Sequence, residues 1–284
     1  MNWRTASHTR QHDLDLIQSN NRRSQSTNVS ATTISVVIPT LWACPTFSPY
    51  IQHAANLAIV KEVIIIDNNS IARPTIEHPK IRVITQKQNI YVNPAWNLGA
   101  KLAGGDILCF LNDDFHPRDE VYAYSLALFE DDSDSRLGLI GMNYGQPTGI
   151  LGHTIVPWRT NPHFGAMIFM RAKEFRPIPE SIKIWWGDEF LVFLSFLRKK
   201  QILELHGYLE SALQEQTVSV SLNTNRSAFN SILDRDTFLW LKVHRRLMLL
   251  RRKPFQALVH SFRRRALALF RELRTVTAAM PNQR

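Results

Sequence analysis

Three polar clusters in this chain close or follow apolar runs: Pro39-Thr40, Asp67-Asn68-Asn69 and Asn112-Asp113-Asp114. Adjacent carboxylates such as Asp113 and Asp114 repel each other unless a positive group binds them. A divalent cation is the natural partner. Mg2+ or Mn2+ prefers carboxylate oxygen and keeps coordination places for phosphate oxygens. A plainer reading puts Asp113-Asp114 in a turn that caps the helix after His116-Pro117. That three such clusters fall on successive strands favours a shared site, because the strand C-terminal ends of an open α/β sheet form its ligand crevice.

The elements around the clusters fit such a sheet. Ile34-Ser35-Val36-Val37-Ile38 is a short β-branched run closed by Pro39-Thr40, which predicts a strand ending in a loop. Ser48–Leu57 predicts a helix. Val63-Ile64-Ile65-Ile66 is apolar at every residue, the pattern of a strand buried on both faces of a parallel sheet. Ile81–Ile84 is a third strand, Asn93–Ala103 a helix stopped by Gly104-Gly105, and Asp106–Leu111 a fourth strand. The alternation implies βαβ units. In the less regular second half, Leu137–Gly141 and Gly165–Met170 read as strands and Asp188–Lys200 as a helix.

The 284 residues, 44% hydrophobic and 20% charged, have ordinary globular composition, which excludes wholesale disorder and collagen-like structure. No apolar run approaches the about 20 residues of a spanning helix, and no apolar stretch follows Arg4, His8 and Arg10, so no secretory signal is expected. Two cysteines, Cys44 and Cys109, have neither zinc spacing nor the numbers of a disulfide scaffold; they read as reduced and structural, in a cytoplasmic protein. The formal charge of +10 is unevenly spread. Residues 1–33 carry +2, residues 34–236 carry −3, and residues 237–284, with twelve Lys+Arg and one Glu, carry +11. This predicts a flexible polar leader over 1–33, a mildly acidic catalytic or binding domain over 34–236, and a basic helical tail over 237–284.

Ile34 to Phe115 resembles the family 2 glycosyltransferases of the GT-A fold. Ser35-Val36-Val37-Ile38-Pro39-Thr40 matches the family's opening strand, and Val63 to Ser70 its second strand with Asp and small polar residues. Asn97-Leu98-Gly99, Gly105-Asp106 and Leu111-Asn112-Asp113-Asp114 match its Asn-x-Gly helix, Gly-Asp and strand-terminal Asp-x-Asp motif. The resemblance implies a GT-A-type open, mostly parallel sheet flanked by helices. It implies an inverting transfer of sugar from a UDP-, GDP- or dTDP-sugar to an acceptor hydroxyl. Pro39 and Thr40 would flank the base or ribose, Asp67 would accept a hydrogen bond from the base, and Asp113 would contact the ribose or sugar. Asn68 and Asn112 join this nucleotide-sugar set, and Asp114 would bind the metal, Mn2+ or Mg2+. The motif's first position is Asn112 rather than Asp, which removes one charged ligand.

In the second half, Gly165–Arg171 resembles the family's acceptor-side strand, and Gly187-Asp188-Glu189 its acidic pair, whose Asp deprotonates the acceptor. A helix N-terminus would hold Asp188 ionised through amides and dipole, ready to take a hydroxyl proton; the competing reading is N-capping by Asp188, with Glu189 a first-turn acid. Trp185 and Trp186 fit either sugar stacking or the core. The His that completes the metal site in many members has no clear counterpart: His206 or Gln216 could take the role, or neither. His206, His153 and His163 read more readily as structural or surface histidines.

Past Pro254, apolar residues from Phe255 to Leu273 fall at steps of three and four, flanked by Arg263, Arg264, Arg265, Arg271 and Arg274. Such a helix suits an anionic membrane surface, at the inner face of a membrane and with a lipid-linked or other saccharide as acceptor in surface polysaccharide or glycolipid assembly. Packing on the domain, self-association and nucleic-acid binding are the alternatives. Transfer to nucleic acid, and a non-catalytic nucleotide- or nucleic-acid-binding protein, are the rival functions. A sugar nucleotidyltransferase is disfavoured, since no Gly-rich loop with an Arg lies between Thr40 and Tyr50.

Overall fold

The computed structural model describes residues 32–69, 74–142, 145–157, 162–210 and 226–249. The expected leader up to residue 31, Gln216, and the tail from residue 250 lie outside them. Eight strands form one mixed sheet: β1 (Ile34–Thr40), β2 (Val60–Asp67), β3 (Ile81–Thr85), β4 (Ile107–Leu111), β5 (Leu137–Met142), β6 (Gly152–Ile155), β7 (Met167–Arg171) and β8 (Gln201–His206). Their order across the sheet is β3-β2-β1-β4-β7-β5-β8-β6. β1 pairs in parallel with β2 and β4, and β2 with β3. β7 then runs antiparallel between β4 and β5, and β5 pairs in parallel with β8. This is the GT-A-type sheet the resemblance implies.

Among the described residues, five α-helices accompany it: α1 (Phe47–Asn56), α2 (Val92–Leu102), α3 (Asp119–Asp131), α4 (Gly187–Leu197) and α5 (Arg226–Leu249). The central strands are buried at every position, as in the ILCFL of β4, because helices cover both faces. On one face Phe47, Ile51 and Ala55 of α1 and Tyr122, Leu126 and Phe129 of α3 pack with Val36, Ile38 and Cys109. On the other, Trp96 of α2, Phe190, Leu191 and Phe193 of α4 and Trp240 of α5 pack with Val37, Leu108 and Phe110. Gly99 lets α2 approach β1 closely, since a Cβ there would lie 2.1 Å from Val37 Cγ1. Two residues earlier, Asn97 exchanges hydrogen bonds with the backbone of Ile178: Nδ2 donates to its carbonyl at 2.7 Å and Oδ1 accepts its amide at 2.8 Å. The Asn-x-Gly stretch therefore joins the first half of the sheet to the second.

Periodicity gave no bounds for α3, β6 or β8, and α3 entered only as the helix after His116-Pro117 that Asp113-Asp114 would cap. α3 carries polar residues among its apolar ones, and the two strands lie at or beside an edge, where half-exposed positions dilute the pattern. α5 crosses the boundary expected between residues 236 and 237. Leu233, Asp236, Thr237, Trp240 and His244 are all buried, so this stretch belongs to the packed body. Cys44 and Cys109 are free and buried. Among the described residues, no helix is long and apolar enough to cross a membrane.

Candidate active site

The C-terminal ends of β1, β2 and β4 bring the three polar clusters together. The Thr40 hydroxyl at the end of β1 donates to Asp113 Oδ2 over 2.6 Å, and the Asn68 amide donates to the Thr40 carbonyl at 2.9 Å. Asp67 is wholly buried. Its Oδ1 accepts the Trp42 indole N–H at 2.9 Å and the Asn69 amide at 3.0 Å, and its Oδ2 accepts the Thr85 hydroxyl at 3.1 Å. Trp42 adopts a positive φ of 60°, a conformation uncommon for a bulky residue. Pro39 is buried within β1, and Asn68 Oδ1 accepts the Ile90 amide at 3.1 Å.

Asp113 is buried and Asp114 half-buried. Neither caps a helix: α3 begins at Asp119, after an Arg118 cap without a side-chain bond. Burial holds the neighbouring His116 below its usual pKa, and its ring stacks on Tyr50 at 4.3 Å. His206 lies on β8, three strands along the sheet from β4, with Nδ1 3.1 Å from the Ile150 carbonyl.

Antiparallel β7 carries the second half to this edge. The Asn112 amide donates to the Ala166 carbonyl at 2.9 Å, so the His163–Ala166 segment abuts the end of β4. The Phe164 amide donates to Asp188 Oδ2 at 2.8 Å, and His163 Nδ1 lies 2.6 Å from Glu189 Oε1. Asp188 therefore bonds a distant loop, and α4 has no side-chain cap bond. Asp188 and Glu189 are 8% and 4% exposed. Burial, and then the charge of Glu189, push Asp188 well above the usual carboxylate range. Burial likewise raises Glu189. This direction runs against the helix dipole, which favours the ionised form: desolvation and the second carboxylate act the other way on Asp188.

The loop before α4 is pinned from two sides. Asn93, at the start of α2, donates its amide to the Lys183 carbonyl at 2.9 Å and its Nδ2 to the carbonyls of Ile182 at 3.2 Å and Trp185 at 3.3 Å. From α5, the wholly buried Asp236 accepts the amides of Lys183, Ile184 and Trp185 on Oδ2 at 2.9, 2.7 and 3.2 Å. Trp186 follows in the left-handed region at φ 68°, and a Cβ on Gly187 would lie 2.0 Å from Asn93 Oδ1. Trp186 is a core residue, its indole N–H donating to Thr237 Oγ1 at 3.0 Å; Trp185 is half-buried. Sequence reasoning did not give Trp42, Asn93 or Asp236 a role, and it read His163 as structural or surface. Their roles arise from partners remote in sequence, and only the polar character of Asn93 and Asp236 within helical stretches offered a signal.

A family model for glycosyl transferase family 2 matches residues 35–182, more than half of the chain. The chain belongs to this family. The match spans the strand ends and their joining loops. A comparison of the chain with curated proteins finds no sequence match. Among solved structures, the mannosyltransferase PcManGT from Pyrobaculum calidifontis, in complex with GDP-Man and Mn2+, superposes with a TM-score of 0.50 at 11% identity, covering 87% of this chain and 75% of that one. At that identity the likeness concerns the fold alone. S. aureus TarS 1–349 aligns with a TM-score of 0.45 at 17% identity over 62% of this chain, which spans 60% of the TarS chain.

Proposed function

We propose that this glycosyltransferase moves a sugar from a nucleoside diphosphate donor to an acceptor hydroxyl with inversion at the anomeric carbon. The observation that carries the reading is the meeting of the two halves at the end of β4: Thr40 bonds Asp113 on one side, and Asn112 bonds Ala166, two residues from the Phe164 that holds Asp188, on the other. Thr40, Asp113, Asn68 and Asn112 line the donor side, with Asp67 fixing Trp42 beside the base. PcManGT, with GDP-Man and Mn2+ bound, supports a diphospho-sugar donor and a divalent cation.

The donor set fits a hard cation. Asp113 and Asp114 offer adjacent carboxylate oxygens at a strand end, the ligand type that Mn2+ and Mg2+ take. Asp114 would hold the metal, which when bound supplies Lewis-acid stabilisation of the departing diphosphate. Asp188 takes the acceptor's proton. Burial and the neighbouring Glu189 raise its pKa, which makes its carboxylate a stronger base than an exposed one. The buried loop clamp holds the pair against the end of β4. Trp185, half-buried just before it, stands on the acceptor side with Glu189.

We further propose a saccharide or lipid-linked saccharide acceptor in surface polysaccharide or glycolipid assembly. The support is the basic, apolar sequence beyond residue 249, which suits an anionic membrane.

A thermal-shift screen of nucleoside diphosphates and diphospho-sugars, with and without Mn2+, tests the donor reading. Stabilisation by at least one nucleoside diphosphate should grow with ligand above its dissociation constant, and its Mn2+-dependent part should vanish in Asp114→Ala. No response to any nucleotide sinks the donor reading.

A further inference from the structure

A proton delivered to a carboxyl buried as deeply as Asp188 or Glu189 must leave before the next turnover, and His163 is the polar side chain that joins the pair to solvent. Its imidazole is 44% exposed while its Nδ1 sits 2.6 Å from Glu189 Oε1. One ligand atom from each of Glu189, Asp188 and His163 lies within 4.8 Å of the others. Glu189 Oε2 is buried without a partner, and Oε1 faces the exposed ring of His163.

We infer that His163 is the proton outlet of the acidic pair, a positioning residue that acts through Glu189; the inference rests on Asp188 being the base. In the transfer step the acceptor O–H bond breaks and its proton goes to Asp188. The hydroxyl oxygen's electron pair forms the bond to the anomeric carbon, and that carbon's bond to the diphosphate breaks with its pair on the leaving phosphate oxygen. The proton then passes from the Asp188 carboxyl to Glu189 and from Oε1 to Nδ1 of His163. The exposed ring then turns from Glu189 and gives the Nδ1 proton to water, which restores the Nε2–H tautomer that accepts the next one. The charged groups that face the imidazole are Glu189 and, behind it, Asp188, both from α4.

Two measurements on the full chain test this. In the first, nitrogen NMR follows the His163 ring through a pH titration in the wild type and in Asp188→Asn. Asp188 lies beside Glu189, whose Oε1 faces the ring, so the midpoint is expected to move; an unmoved midpoint uncouples the ring from the pair and overturns the outlet. The second follows release of nucleoside diphosphate from the diphospho-sugar that stabilises the protein most, with Mn2+ present and water as acceptor. His163→Ala is expected to turn over about ten- to a hundredfold more slowly, with the donor KM retained and imidazole in the buffer restoring the rate. Asp188→Asn is expected to lose turnover with no rescue. A full rate in His163→Ala, or a loss that imidazole leaves unchanged, overturns the outlet. A full rate in Asp188→Asn overturns the base instead. Calorimetric binding of Zn2+ or Mn2+ alone that disappears in His163→Ala makes the three side chains a cation site and likewise ends the proposal.

Discussion

Asp188 and Glu189 show how burial turns ordinary acids into reactive ones. Each is raised, chiefly by loss of water and, for Asp188, by the second carboxyl beside it. For an acid whose folded-state pKa lies above its unfolded value, the stability this confers is present below the unfolded pKa and lost as pH rises through the folded one. At neutral pH the pair therefore costs stability. Asp188→Asn should raise the melting temperature by about 2–4 °C, the shift that roughly 1 kcal/mol gives a domain of this size, while turnover falls by at least about a hundredfold. Calorimetry beside the nucleotide-release assay checks both; a lower melting temperature would count against a strained pair. At Asp67, by contrast, Trp42, Asn69 and Thr85 satisfy the buried oxygens.

Among the elements, α5 has the least expected part. One carboxylate on it, that of Asp236, holds three consecutive amides of the loop that delivers α4. Asp236→Ala should cost on the order of 3 kcal/mol, since three buried donors lose a charged acceptor. Hydrogen exchange of the Lys183, Ile184 and Trp185 amides should accelerate in step. Urea unfolding reads the first effect, and unchanged exchange at these amides would show that the clamp is dispensable. Further along the same helix, burial pulls His244 down to about 4. A depressed folded-state pKa gives stability that is fully present above the unfolded value near 6.5 and lost as pH falls through about 4. Acidification from pH 7 to 4 should therefore loosen the Trp240–His244 turn, where His244 packs on Phe193 at 4.6 Å, and His244→Leu should blunt the effect. Exchange mass spectrometry across the α5 peptide at the two pH values is the check.

At the scale of the whole molecule, the packed part of α5 dictates where the basic tail can be probed. Removing everything from residue 237 would strip Trp240 from the core, so charge reversal in the full chain is the cleaner change. Replacing Arg263, Arg264 and Arg265 by Glu should abolish flotation with vesicles containing anionic lipid, because each basic residue near such a surface contributes about 1 kcal/mol. Equal flotation of the two proteins rules out docking driven by these arginines. The division of charge, −3 over residues 34–236 and +11 over 237–284, gives the expectation its direction.

The first half of the fold was legible because its signals are local. Val63–Ile66 and Ile107–Leu111 are apolar at every step, as strands covered on both faces must be, and a polar cluster marks each strand's end. Those two facts sufficed for the parallel sheet and for Thr40, Asp67 and Asp113 as neighbours. Tertiary structure alone decided the rest. The state of Asp188 depends on how much water its surroundings exclude, and on a neighbouring acid and a loop amide at Phe164. The partnership of His163 with Glu189 spans 26 residues, and the hold of Asp236 on Lys183 spans 53. Contacts that close such long loops leave no periodic trace in the chain, because they are selected by packing and desolvation once the sheet has formed.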